Sequence, residues 1–333
     1  MGKSAGGARR VSAALQIVTA DEAEIRLDRW LRRHFPGLTQ GRIEKLCRTG
    51  QVRVDGHRVA AATRLLAGQS VRIPPLPAAH ETAPPPRPDA TAVALLARQI
   101  LYEDDALIAL DKPPGLPVQG GPGIIRHLDG MLDALRGAGG ERPRLVHRLD
   151  QDTSGVLLLA RSPGIAATLA RAFRERAMEK TYWAVVLGRP IPGEGRIDLP
   201  LLRLRGAKGA RTAAAPGDPE AARAITDYAV RDHAGKRFSW LELTPLTGRT
   251  HQLRVHCSAL GTPILGETKY AGEDGAGWVE GFSERLHLHA RRLALPHPGG
   301  GTLVIEAKLP AHMAETFARL GFSAPAPAAP RRE

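Results

Sequence analysis

The sequence predicts an α+β protein, with a mixed, mainly antiparallel sheet body preceded by a small α/β module. Three observations carry this. The body holds six short apolar segments that read as strands and only two long helical patterns, a ratio that disfavours a doubly wound parallel sheet. A Pro/Ala-rich run from Pro74 to Pro88 can sustain neither helix nor sheet pairing and marks a boundary. Before that boundary, helical periodicity gives way to alternation within fifty residues.

A chain of 333 residues accommodates one large domain and a small appended one. The expected division is a disordered basic tail at 1–23, a module at 24–74, a linker at 75–92, a catalytic body at 93–322 and a disordered Pro/Ala/Arg tail at 323–333. The first twenty residues carry no acidic residue before Asp21, and their apolar run Val11–Val18 is interrupted by Ser12 and Gln16. That pattern fits a disordered tail and leaves an organellar transit peptide open.

In the module, Leu27, Trp30, Leu31 and Phe35 recur at helical spacing. Pro36-Gly37 breaks the pattern, Thr39 can cap a second helix that buries Ile43 and Leu46, and Gly50 ends it. Val52 to Val54 alternates, Asp55-Gly56 is a tight-turn signal, and Val71 to Ile73 completes the sheet. Between Arg26 and Ile73 stand eleven Lys or Arg against three Asp or Glu. Arg29, Arg32, Arg33, Arg42, Lys45, Arg48 and Arg53 fall on positions that the apolar residues leave outward, a stripe suited to an RNA backbone.

In the body, strands are expected at Leu107–Leu110, Val156–Ala160, Tyr182–Leu187, Ala224–Val230, Phe238–Leu243 and Thr302–Ala307, with helices at 163–176 and 250–260. The whole chain carries 47 Lys or Arg against 34 Asp or Glu, an excess of +13 that favours a polyanionic partner. Cys47 and Cys257 lie far apart with no metal-type spacing and read as reduced thiols, which fits the cytoplasm. No apolar run approaches the roughly 18–20 residues of a membrane span. Dinucleotide, phosphate-loop and nucleophile-elbow motifs are absent.

Three clusters remain. His147, Arg148, Asp150, Asp152, Thr153 and Ser154 crowd against the apolar run that begins at Val156, where polar side chains are costly unless paired. Thr247 to His256 places His251 and Arg254 three apart and Arg249 and Leu253 four apart, hence on shared helical faces. Strand alternation sends Lys180, Tyr182 and Ala184 to one face.

These clusters closely resemble the RluA-type family of RNA pseudouridine synthases, in a likeness that runs from about Arg26 to Phe322. His-Arg-Leu-Asp-x-x-Thr-Ser-Gly is complete at His147–Gly155, and Gly-Arg-x-His-Gln-Leu-Arg-Val-His at Gly248–His256. Lys112-Pro113-x-Gly115, Ala224-x-Thr226-x-Tyr228, Pro263-Ile264-Leu265-Gly266 and Leu288-His289-Ala290 add to it. The module resembles the S4 RNA-binding domain in Arg26-Leu27-Asp28-x-Trp30-Leu31 and in Gly50 to Gly56. Glu267 departs from the Asp usual after that Gly and is read as a tolerated change, and Gly206–Ala222 carries no hint of the RNA bound.

The resemblance implies a pseudouridine synthase fold and an isomerase of uridines in structured RNA, large-subunit ribosomal RNA first and transfer RNA as an alternative. It implies Asp150 as the catalytic carboxylate, Tyr182 stacked on the base, and Arg254 paired with Asp150. Arg148 would fill the space left by a flipped base, with His147, Thr153, Arg249, His251, Gln252 and Lys112 as further RNA or base-flipping contacts. The reaction breaks N1–C1′ and joins C5 to C1′, so neither cofactor nor metal is expected. Asp150 would either attack C1′ or help remove the C2′ proton. No membrane partner is expected, and the chain reads as a monomer. A nucleoside hydrolase would share the carboxylate but release free uracil.

Overall fold

The computed structural model describes residues 14–35, 38, 40–75, 90–121, 123–136, 140–206, 209–271 and 277–333. It divides into two compact units, Met1–Arg87 and Pro88–Glu333.

In the first unit, α1 (Leu27–His34) buries Leu27, Trp30 and Leu31, and α2 (Gln40–Arg48) buries Ile43, Leu46 and Cys47. Both cover a four-stranded sheet of β1 (Ala14–Ile17), β2 (Arg53–Val54), β3 (His57–Arg58) and β4 (Ser70–Ile73), in the order β1-β4-β2-β3. Strand β1 corrects the expected tail at 1–23, because Ala14 to Ile17 pairs antiparallel with Ile73 to Ser70. The free edge of β4 offers unpaired N–H and C=O groups, and an extended segment that satisfies them is held whatever its composition. Residues 1–13 of that tail, the helix break at Pro36-Gly37 and the capping Thr39 lie outside the described residues.

The second unit is built on one large, mostly antiparallel sheet. Its strands are β5 (Ile100–Glu103), β6 (Leu107–Lys112), β7 (Arg144–Leu145), β8 (Ser154–Ala160), β9 (Glu179–Leu187) and β10 (Glu194–Asp198). A separate hairpin follows, β11 (Leu201–Gly206) with β12 (Gly209–Ala214). Then come β13 (Ile225–Ala234), β14 (Phe238–Pro245), β15 (Leu288–Pro296), β16 (Thr302–Glu306) and β17 (Arg331–Arg332). The main path runs β10-β13-β14-β9-β15-β8-β6-β5. Of the helices, α3 (Ala90–Ala97) starts inside the expected linker, whose residues 76–89 are not described. The others are the single turn α4 (Leu128–Met131), α5 (Pro163–Arg174), α6 (Gln252–Ala259) and α7 (Ala311–Leu320). The tail expected to be disordered at 323–333 instead follows the sheet, with β17 pairing the open edge of β16 and Arg332 holding the Gly299 and Gly300 carbonyls.

The centre of the sheet is where β15 lies between β9 and β8. Strand β8 is buried along its whole length, with Leu157 and Leu159 in one apolar core and Val156, Leu158 and Ala160 in the other. It pairs with β15 in parallel, Ser154 opposite His289 and Gly155 opposite Ala290. Gly155 has φ 106°, and a Cβ there would stand 2.2 Å from the Ala290 carbonyl oxygen, so only glycine permits this approach. The Ser154 hydroxyl and His289 Nδ1, 2.9 Å apart and buried, pin the same junction. The loop preceding β8, which carries Asp150, is thereby fixed at the middle of the sheet.

Glu22 gives the first unit an acid sensitivity. Burial pushes its carboxyl up, but bonds from Trp30 Nε1 at 2.8 Å, from His34 and from the Thr19 N–H outweigh this and hold it near 2. A folded pKa below the ordinary carboxylate value adds stability above about 4.5 that is lost as pH falls toward 2. The Trp30 indole NMR signal is expected to leave its folded position over that interval. In Glu22→Gln the unit is weaker at neutral pH and its stability less dependent on pH across the acid interval; an unchanged acid profile would remove the role assigned to Glu22.

Candidate active site

A cavity of about 510 Å³ opens on one side of the β9–β15–β8 junction. Its wall includes Arg148, Leu149, Asp150 and Thr153 from the loop before β8, Lys180 and Tyr182 from β9, Arg174 and Arg176 at the end of α5, and Arg249 to Arg254 leading into α6. The two long motifs, a hundred residues apart in sequence, thus share one wall. Six cationic side chains line it against one carboxylate, which suits a polyanion entering with its backbone charges outward.

The Asp150 carboxylate accepts no hydrogen bond from the described residues, and its nearest cation-forming neighbour is His251, with Nε2 3.8 Å from Oδ1. The expected Arg254–Asp150 pair is not formed. Arg254 instead makes a bidentate pair with Glu267, Nε to Oε2 and Nη2 to Oε1 both at 2.6 Å, with side chains 3% and 0% exposed. Glu267 also accepts from the backbone N–H of Lys269 at 2.7 Å. Its carboxylate reaches the full guanidinium fork, whereas Asp150 makes no ion pair with it. Burial lowers the Arg254 pKa and raises that of Glu267, but their pairing outweighs this in both, aided by the Asp150 charge at Arg254 and by the Lys269 and Tyr270 N–H groups at Glu267, so the two stay ionised. Glu267 is therefore not a neutral departure; the sequence signal that could have found it is the Pro-Ile-Leu-Gly turn delivering a carboxylate next to a basic helix.

Tyr182 is half-buried, and its phenol is pushed above its usual pKa by burial and by the Asp150 charge, so it is protonated at neutral pH. Arg148 and Arg249 are exposed at the cavity, the latter with Nε on the Arg223 carbonyl at 3.1 Å. Thr153 is buried, and its backbone N–H donates to the Asp150 carbonyl at 3.2 Å.

Three residues expected to contact RNA have polar atoms engaged within the protein, although His147 and Gln252 also line the cavity. Lys112 is completely buried, and its Nζ donates to the carbonyls of Pro113, Leu116 and Gln151 at 2.8, 3.0 and 2.8 Å. It fastens the Lys-Pro-Pro-Gly turn to the residue after Asp150, and burial brings its pKa down to about 8. Gln252 is spent on Thr247, Thr226, the Arg249 N–H and the Ile225 carbonyl, which set the approach to α6. His147 stacks on Phe173 and accepts the Leu158 N–H at Nε2, and burial with the Lys180 charge holds it near 3, hence neutral. Sequence reasoning also missed Tyr270, whose hydroxyl lies 2.6 Å from His251 Nδ1, and the α5 cations Arg174 and Arg176. Among the described residues no three His, Cys, Asp or Glu cluster as a metal site would require, and no helix is long and apolar enough to cross a membrane.

Comparison with known proteins finds two matching families. The family described as RNA pseudouridylate synthase matches residues 106–259, and the S4 domain matches 25–71. Ribosomal large subunit pseudouridine synthase C of Rickettsia bellii is 37% identical over 296 residues, covering 86% of this chain and 95% of that protein. The protein of the same name from Escherichia coli strain K12 is 36% identical over 314 residues, covering 90% and 93%. Among solved structures, human RNA pseudouridylate synthase domain containing 4 aligns with a TM-score of 0.61 and 31% identity over 71% of this chain and 98% of that one.

The buried pair sets a stability test. Glu267→Gln leaves a guanidinium buried without its counter-charge, and urea denaturation is expected to show a loss of about 3–5 kcal/mol. Arg254→Met combined with Glu267→Gln is expected to recover part of it. A loss below about 1 kcal/mol in the single variant would mean that solvent reaches the pair.

Proposed function

The chain belongs to the RNA pseudouridylate synthase family and is an RNA pseudouridine synthase, and from that premise we propose that Asp150 isomerises uridines of large-subunit ribosomal RNA without a cofactor. The observation that carries this reading is the unengaged Asp150 carboxylate in a cation-lined cavity, beside the protonated phenol of Tyr182.

Balance of bonds limits what the residues must do. The N1–C1′ bond breaks, the detached uracil turns, C5 bonds to C1′, the C5 proton leaves and N1 takes one up. Nothing is oxidised and no group departs. Asp150 either adds to C1′ or assists loss of the C2′ proton; both need an ionised carboxylate. Tyr182 offers the base a ring face, and Arg148, free at the cavity mouth, fills the stack that the flipped uridine leaves, an exchange costing on the order of a few kcal/mol. Arg249 and the α5 cations meet phosphates. In the S4 unit, Arg29, Arg32, Arg33, Arg42, Lys45 and Arg48 are exposed and are assigned to the RNA backbone, while Arg53, half-buried, braces the turn through the Gly50 and Gly56 carbonyls. The chain works in this reading as a monomer in the cytoplasm, where ribosomal RNA and reduced, buried Cys47 and Cys257 are at home. Transfer RNA is the alternative substrate.

Carbodiimide mapping with primer extension, in a deletion strain complemented by wild type or Asp150→Asn, tests both enzyme site and target. Large-subunit RNA stops are expected with wild type alone; identical maps would sink the role of Asp150, and stops confined to transfer RNA would reassign the substrate. Replacing Arg29, Arg32 and Arg42 by Gln is expected to reduce the slope of log affinity against log salt by up to about one per lost phosphate contact. An unchanged slope would leave the S4 face without an RNA role.

A further inference from the structure

His251 stands in a backbone conformation that its neighbours must enforce. It precedes α6 with φ 55° and ψ 21°, the left-handed region that a side-chain-bearing residue rarely occupies. That geometry turns its imidazole away from solvent and between two groups, the Tyr270 hydroxyl at 2.6 Å from Nδ1 and Asp150 Oδ1 at 3.8 Å from Nε2. Tyr270 is buried and its hydroxyl oxygen already accepts the Thr212 N–H of β12 at 3.3 Å. The phenol proton has no other acceptor among the described residues, so it is donated to His251 Nδ1. A neutral imidazole that accepts at Nδ1 carries its proton on Nε2, the atom facing the carboxylate.

We infer that His251 is a positioning residue for Asp150, a neutral donor whose tautomer is set by Tyr270 and Thr212. At 3.8 Å the donor is beyond hydrogen-bond reach in the free protein and closes on the carboxylate when RNA fills the cavity, as hydrogen bonds of catalytic groups tighten in the complex. Donation to one oxygen leaves the other aimed at the sugar. The groups facing the ring are Asp150, Arg254, Lys269, Glu267 and Tyr270. Burial, with the Arg254 and Lys269 charges, lowers the His251 pKa against the opposing pull of Asp150 and Glu267, which keeps the ring neutral at physiological pH. A neutral donor directs the carboxylate without cancelling its charge. The chain of bonds also ties the β11–β12 hairpin to the site, since Thr212 belongs to β12 and Arg211 beside it packs over the Tyr270 ring, 5.4 Å from its centroid.

The inference rests on the assignment of Asp150 above, and two substitutions separate a donor from a backbone or RNA-binding role. Asparagine tolerates the left-handed conformation, but its amide is too short to reach Asp150; glutamine places an amide N–H near the position of Nε2. Single-turnover kinetics on large-subunit RNA are expected to show His251→Asn lowered about 10²-fold in kcat with KM within about twofold, the size of effect that misplacing a reacting group produces. His251→Gln is expected to retain activity within about tenfold of wild type, and Tyr270→Phe, which frees the tautomer, to lower kcat without moving KM. Folding of each is checked by near-ultraviolet circular dichroism. An Asn variant as fast as wild type, equal losses in Asn and Gln, or losses confined to KM would each overturn the inference. Asp150→Asn measured alongside distinguishes the failures: if it turns over, the assignment of Asp150 falls, and if it is dead while His251→Asn is active, only the role of His251 falls.

Discussion

The Arg254–Glu267 pair is the interaction on which the site depends. A guanidinium only 3% exposed would be untenable alone, and Glu267 answers both prongs of its fork. With its charge balanced there, Arg254 can stand in the cavity wall as a fixed positive pole without clamping Asp150, whose carboxylate accepts no hydrogen bond from the described residues. The division of labour is physical: one carboxylate keeps the cation buried and another keeps its own lone pairs available. Gly266, the residue before Glu267, makes the arrangement possible, because at φ 83° a Cβ would lie 2.1 Å from the Arg285 carbonyl oxygen.

Around that pair, rigidity comes from groups bonded within the protein. Lys112 gathers three carbonyls under the Asp150 loop, Gln252 fixes the entry to α6, and the Gly155–Ala290 contact locks β8 against β15. Each is a buried polar or small residue, where a misplaced group would cost desolvation energy. A carboxylate held on such a floor needs little rearrangement when a base arrives.

Much of the fold was legible from apolar patterning. The α1 face at Leu27, Trp30 and Leu31, the buried strands β6, β8, β9 and β14, and helix α5 follow from period and run length. Strand β15 was not, because His289 and Arg291 are buried polar residues that interrupt its alternation and find partners only in the tertiary structure. Edge strands β1 and β17 were hidden by basic, Ala-rich composition, since their pairing is through backbone. Within the site, the motifs gave Asp150, Tyr182 and the α6 approach, but not which polar residues face the cavity. The family resemblance paired Arg254 with Asp150 and could not weigh Glu267, thirteen residues on, as the better-shaped partner. Lys112 and Gln252 read as RNA contacts because their types are right, and only burial separates a staple from a ligand.

The most direct test is release of tritium from C5 of uridine in labelled large-subunit ribosomal RNA, since joining C5 to C1′ must expel that hydrogen. Wild-type protein is expected to release tritium with the RNA mass otherwise conserved and no free uracil, and Asp150→Asn to release none. Free uracil from the wild type, or undiminished tritium release by Asp150→Asn, would contradict isomerisation at Asp150.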